Sequence, residues 1–230
     1  MTTLLIRLAA PMQAWGASSR YSRRDTQQEP TKSGVLGLLA AAQGVRRTDD
    51  LEHLAALNFG VRVDQPGSLL RDFQVARSLD EKKTFPLSYR YYLSDAVFVA
   101  GVEGESSLIE GLGDALKNPT FPLYLGRRSC PPSLPLLVDI SEQSLGEALR
   151  RFPWQASDWY RAKQASRVAL RIALDGEHGA EGETIRDVPV SFDPQHRRYE
   201  WRTVVDDRVE VENPTSRFHG HDPMAVLGGV

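Results

Sequence analysis

An element order of strand, helix, strand, strand, helix, strand can be read along the first 140 residues. A basic polar stretch splits two β-like runs between residues 70 and 93, and the pattern changes to short strands after residue 141. Together these predict an α+β chain: a ferredoxin-like (RRM-like) domain over residues 1–140 bearing a projecting β-hairpin, then a smaller, mostly β appendage over 141–230. That fold serves many functions, so function must come from the residues it carries.

Residues 3–8 are apolar with one interruption, as in a strand buried on one face and partly on the other. Pro11 ends its pairing and Gly16 frees the backbone. Thr31, after Pro30, is the N-cap of a helix over residues 31–45, with Leu36 and Leu39 on one face and Val35, Leu38 and Ala42 beside it. Gly34 and Gly37 each cost such a helix about 1 kcal/mol, so close packing or the close approach of a ligand is expected there. A short helix at 49–57, a strand at 58–63 and the turn Gln65-Pro66-Gly67 follow. Residues 69–75 and 89–93 are the arms of the hairpin. Its tip has too little apolar content to pack on the body, so it projects. An apolar strand at 96–102, a helix at 106–117 stopped by Asn118-Pro119, and a short strand at 121–125 complete the domain. After 141 come a helix at 143–152, an aromatic stretch at 154–159, and strands at 168–174, 184–192, 198–205 and 208–211, separated by turn residues.

Hydrophobic content of 41% and charged content of 25% are those of an ordinary globular chain. The single cysteine, Cys130, excludes an internal disulfide and a cysteine-based zinc cluster, and fits a reducing cytoplasm. No apolar run reaches the roughly 18–20 residues of a membrane span, and no signal-type N-terminus is present, so a cytoplasmic protein without membrane contact is expected. The net charge of −2 conceals an asymmetry. Residues 1–48 hold seven basic against two acidic side chains, whereas residues 175–212 hold eleven acidic against five arginines. The two ends face different partners, or face each other.

Phosphate chemistry is the function these patterns point to. A strand, a loop and then a helix N-terminus present unpaired N–H groups and a positive dipole end at one spot. The preceding loop brings Arg20, Arg23 and Arg24, and the helix start brings Lys32 and Ser33. Gly126-Arg127-Arg128-Ser129 is a second basic cluster, beside a glycine that permits close backbone approach, and arginine forks suit phosphate oxygens. A solvated surface loop would have the same composition. If the fold is ferredoxin-like, residues 20–24, 77–83 (with Arg77, Lys82 and Lys83) and 127–128 can converge. Met12, Gln13, Trp15 and Arg90 lie beside them. Trp15, Tyr89, Tyr91 and Tyr92 could stack on bases or belong to the core, and strand alternation puts Tyr91 and Tyr92 on opposite faces.

Catalytic and metal signatures are absent from the sequence. His53 falls in a helix, His178 and His196 in polar turns, and His219 and His221 have no third ligand spaced to complete a metal site. No Ser-His-Asp order, Walker loop or dinucleotide fingerprint occurs, and no cofactor is expected.

Three ungapped strings carry a resemblance. They are Leu8-Ala9-Ala10-Pro11-Met12-Gln13-Ala14-Trp15-Gly16, then Pro30-Thr31-Lys32-Ser33-Gly34-Val35-Leu36-Gly37-Leu38-Leu39, and Tyr124-Leu125-Gly126-Arg127-Arg128-Ser129-Cys130-Pro131. With their spacing, they resemble the CRISPR-associated Cas-five family in its type I-E Cascade branch; the C-terminal third matches only in general pattern. The resemblance implies an RNA-binding assembly subunit for antiviral defence. Its body caps the 5′ handle of the CRISPR RNA (crRNA), and a thumb hairpin, matched in position by residues 70–93, lies across the guide. The implied partners are the crRNA handle, the repeated backbone subunit CasC and the large subunit CasA, with target DNA reached through the guide heteroduplex. It implies RNA contacts from Met12, Gln13, Trp15, Arg20, Arg23, Arg24, Lys32, Ser33, Arg77, Lys82, Lys83, Arg90, Arg127, Arg128 and Ser129. Some relatives cut precursor RNA with a metal-free Tyr, Lys and His set. That alternative, a metal-independent endoribonuclease, would rest here on Tyr21 or His53, yet no histidine falls in the matched N-terminal strings. A ferredoxin-like protein-interaction module without RNA is the third possibility.

Overall fold

The computed structural model describes residues 1–16, 23–177 and 179–218. Strand β1 (Thr2–Ala9) is buried along nearly its whole length, and its alternation explains its apolar sequence. Leu4, Ile6 and Leu8 enter one core, while Leu5 packs on the other side with Val99, Leu145 and Leu149. A strand with both faces covered has few positions left for polar residues.

Helix α1 (Lys32–Gln43) begins at Thr31, whose hydroxyl accepts from the Gly34 N–H at 3.2 Å, and ends at Gly44 in the left-handed region with φ 84°. The predicted second helix is one turn, α2 (Glu52–Ala55), and β4 (Asn58–Gln65) follows it. Strands β5 (Ser68–Gln74) and β6 (Ser88–Ser94) pair antiparallel as the hairpin. Next come β7 (Val97–Gly104) and α3 (Ser106–Lys117).

Two expectations need correction. Residues 121–125 are not a strand: Thr120 and Phe121 donate to the carbonyls of Ala42 and Ala41, which clips this stretch to the end of α1. The strand beside β1 is β8 (Leu137–Ser141), which pairs antiparallel with it. Further on, the two short strands expected at 198–205 and 208–211 are one 15-residue strand, β11 (Arg198–Glu212). Asp206 and Asp207 read as turn residues, but here they lie opposite Ala173 and Ile172 in an unbroken ladder. Their charges are matched locally, Asp206 by Arg171 at 2.6 Å and Asp207 by Arg150.

The C-terminal region also contains α4 (Leu145–Arg151), α5 (Asp158–Lys163), β9 (Arg167–Asp175) and β10 (Glu183–Ser191). It continues the main sheet, whose seven strands run β10-β11-β9-β4-β7-β1-β8. Helices α1 and α3 pack together, with α3 against β1, β7 and β8, while α4 packs on β1, β4 and β7. Buried Arg62 locks this arrangement. It forms a bidentate pair with Asp64 at 2.6 and 2.9 Å, and donates to the carbonyl of Leu149 in α4 and to those of Phe152 and Pro153 just past it. Among the described residues no helix is long and apolar enough to cross a membrane.

A second sheet carries the hairpin. Strand β2 (Met12–Gln13) pairs with the inner end of β6, and β3 (Arg23–Arg24) lies parallel to Tyr89 and Arg90. The hairpin, inserted between β4 and β7, is therefore braced by the segments β2 and β3 that follow β1.

Candidate nucleic-acid interface

Gly126 fixes the loop after α3 against the loop after β1. Its φ is 88°, and a Cβ there would lie 1.7 Å from the Ala14 carbonyl oxygen, so only glycine fits. Ala14 donates to Leu125 O at 3.1 Å across this contact. Arg127 is thereby aimed at β3 and β6. Its guanidinium donates to Tyr91 O (3.1 Å), Arg24 O (2.9 Å) and Asp25 O (3.3 Å), and sits 4.7 Å over the Tyr92 ring. The 23–24 and 127–128 clusters do converge, with Arg127 as the clamp between them.

Arg24 and Arg128 are exposed. Exposed Arg23 pairs with Asp25 at 2.9 Å and lies 5.2 Å from the Tyr91 ring. Half-buried Arg90 has a buried Nε without a hydrogen-bond partner among the described residues. Ser129 is exposed, with its hydroxyl 3.4 Å from the Tyr92 hydroxyl. Arg20 and Tyr21 lie outside the described residues.

Other predicted contacts are taken up inside the fold. Trp15 is buried, its ring packed on Gly34 and its indole donating to Gln13 Oε1 at 3.1 Å. Gln13 in turn donates to Leu8 O and Ala96 O at 3.0 and 2.7 Å. Neither side chain can reach a base, and half-buried Met12 packs on the same core. Tyr92 is also buried, whereas Tyr89 is exposed and Tyr91 half-buried, in line with strand alternation.

The start of α1 differs most from expectation. Lys32 pairs with Asp175 at 2.8 Å, its side chain 7% exposed, and Ser33 is buried. The Lys32 N–H, one of the groups expected to meet phosphate, donates to Asp187 Oδ2 at 2.7 Å. Asp187 is held by Arg202 at 2.6 and 3.0 Å, and Arg202 also bridges to Asp175 at 2.7 Å. An internal carboxylate thus occupies this helix end, where dipole and free N–H groups favour an anion. The basic and acidic ends of the chain meet here, so the second of the two charge readings holds at this spot.

Between the two regions lies an open cleft of ≈ 1540 Å³. Among the described residues, one wall is formed by Ala14, Gly16, Arg24, residues 26–31 and the 126–127 turn, the other by β10, the start of β11 and Arg171 of β9. Arg24, Arg127, Arg171, Arg186, Arg197 and Arg202 line it, against Glu29, Glu183 and Asp187. Arg171 ties the walls together by pairing with Glu29 as well as with Asp206. Burial pushes the Glu29 carboxyl above its ordinary range, and Arg171 offsets this only in part. The cleft is larger than the roughly 300–1,000 Å³ of small-molecule sites, and so suits a length of polymer. The β10–β11 wall escaped sequence reading because eleven acidic residues in its region mask Arg186, Arg197 and Arg202. The signal that could have found it is the run Arg197-Arg198 close to Trp201.

The hairpin tip stands apart from this cleft. Arg77, Lys82 and Lys83 are exposed, and the tip closes on itself through Ser78 N to Lys83 O (2.9 Å) and Phe85 N to Ala76 O (2.8 Å). None of the three lines the cleft. His53, on α2, has its ring 3.4 Å from Gln43 and does not line it either.

Residues 3–205 match the family described as CRISPR-associated protein (Cas_Cas5). The chain is 36% identical over 163 residues to the CRISPR system Cascade subunit CasD of Escherichia coli strain K12, covering 61% of this chain and 72% of that protein. A solved structure described as a Cas protein superposes with TM-score 0.73 at 42% identity, over 93% of this chain and 97% of that one. A chain of a CRISPR RNA-guided surveillance complex superposes with TM-score 0.74 at 32% identity, over 98% and 97%.

Proposed function

The chain belongs to the CRISPR-associated Cas_Cas5 family, and from that premise we propose that it is a non-catalytic, crRNA-binding subunit of a type I-E Cascade surveillance complex. It caps the 5′ handle of the crRNA and reaches the guide through the β5–β6 thumb. Its protein partners in this reading are the backbone subunit CasC and the large subunit CasA, with target DNA met through the heteroduplex. The observation that carries the reading is the arginine-lined cleft, which opens beside the exposed Arg23, Arg24 and Arg128.

The strand order β8-β1-β7-β4, all antiparallel, supports a ferredoxin-like platform within the larger sheet. We take residues 1–140 as that RNA-holding body and 141–230 as its β-rich extension. RNA cleavage without a metal needs a general base and acid at the scissile phosphate. Among the described residues that line the cleft there is no histidine, which favours holding RNA over cutting it.

The test is a tagged pull-down from the native host, with the 5′ ends of co-purifying RNA mapped. One uniform 5′ end within repeat sequence and several co-eluting subunits are expected, and the absence of RNA would defeat the reading. Incubation of the purified protein with repeat RNA in EDTA should leave the RNA intact. Discrete product, lost on substitution of Tyr21 or His53, would establish the endoribonuclease instead.

A further inference from the structure

We propose that the β10–β11 hairpin is a second wall of the RNA site, where Trp201 is a stacking platform for an unpaired nucleobase and Arg186 and Arg197 hold the adjoining phosphates. This rests on the RNA-binding reading above and gives the C-terminal region a direct RNA contact.

Trp201 lines the cleft and is 65% exposed. It lies opposite Arg186 in the β10–β11 ladder, and the Arg186 guanidinium sits 5.9 Å over its ring. Arg186 is itself steadied by donating from Nε to Tyr199 O at 3.0 Å. A fixed cation beside an open aromatic face suits a nucleotide, because base and phosphate can be met together.

The charge balance of the cleft supports the same ligand. Arg171 and Arg202 are neutralised by Glu29, Asp206, Asp175 and Asp187. Among the described residues no carboxylate pairs with Arg24, Arg186 or Arg197, and Glu183 is the one lining carboxylate left without a cation. Three unpaired arginines on opposing walls thus outnumber one carboxylate. An acidic polymer fits this surplus, and an exposed indole selects single-stranded RNA, whose bases are unstacked.

The experiment uses the complete complex purified with its crRNA, carrying Trp201→Ala, Trp201→Phe or the pair Arg186→Glu/Arg197→Glu, and reads 2′-hydroxyl acylation along the crRNA. In wild type the 5′ segment is expected to be protected. Trp201→Ala should expose a nucleotide within it, Trp201→Phe should restore the protection, and the double reversal should expose its neighbours. For the isolated protein and a single-stranded RNA of repeat-derived 5′ sequence, Trp201→Ala should weaken binding roughly five- to 150-fold. An acylation pattern unchanged in Trp201→Ala, while Arg23→Glu/Arg24→Glu still strips the RNA, overturns this wall and leaves the RNA-binding role standing. Loss of a protein subunit with the pattern unchanged also overturns it, since the surface then docks protein. A wild-type complex without RNA defeats both readings.

Discussion

Adjacent arginines in the 126–129 turn do different work, and their neighbours decide which. Arg127 holds three carbonyls and covers Tyr92, so Arg127→Ala should lower the midpoint of thermal unfolding. Arg128 is exposed and carries no ion pair among the described residues, so Arg128→Glu should leave that midpoint in place. It should instead weaken RNA binding and flatten its logarithmic salt dependence by about 0.7 per lost phosphate contact. The same salt titration on both variants separates the roles. Gly126→Ala would force a Cβ onto the Ala14 carbonyl, and the backbone strain alone is worth about 1–3 kcal/mol. Urea unfolding at the wild-type midpoint would refute that. At Glu29, the raised carboxyl binds its proton more readily in the folded chain. Native stability therefore gains as pH falls into that raised range and loses the gain as pH rises. Glu29→Gln lacks this response, so it should compare best with wild type at neutral pH and fall behind on acidification, read from thermal melts across pH. The sequence reading assigns Gln13, Trp15 and Lys32 to RNA, whereas in the structure their side chains meet partners within the fold. Those partners, Ala96, Gly34 and Asp175, lie far along the chain or on another element, and type and spacing carry no record of them.

At the level of elements, periodicity and caps were legible wherever local chemistry decides. The N-cap at Thr31, the helix from Ser106 to Lys117 and both hairpin arms fall where propensity puts them. The strand expected at 121–125 failed because short apolar runs are chosen by available partners, and the open edge of β1 is taken by β8. The length of β11 was hidden for a related reason: paired aspartates can continue a ladder when arginines stand beside them. The thumb gives an element-level expectation. Because its tip bonds within itself, replacing residues 77–86 by a short turn should leave handle binding intact while impairing order along the guide or target. Handle affinity and target-strand protection, measured on the same complex, check both halves.

For the molecule as a whole, the main sheet crosses residue 141 without a break, since β4 pairs with β7 on one side and β9 on the other. Cutting there would uncover Leu5 and Val99, remove the carbonyls that hold buried Arg62, and strip the anion from the start of α1. A buried guanidinium left with only Asp64 is costly, by about 3–5 kcal/mol when one partner set is lost. Expression of residues 1–140 alone should therefore give a chain without a cooperative melt, whereas a stable fragment would show that the body folds by itself. The contact between Lys32 and Asp187 also bears on the timing of synthesis. A helix completed early on the ribosome waits for an aspartate made 155 residues later, and for Arg202 after it, before its first turn is closed. Until then the nascent chain presents an open, anion-seeking helix end, so the cleft reaches its finished charge only after Arg202 has emerged.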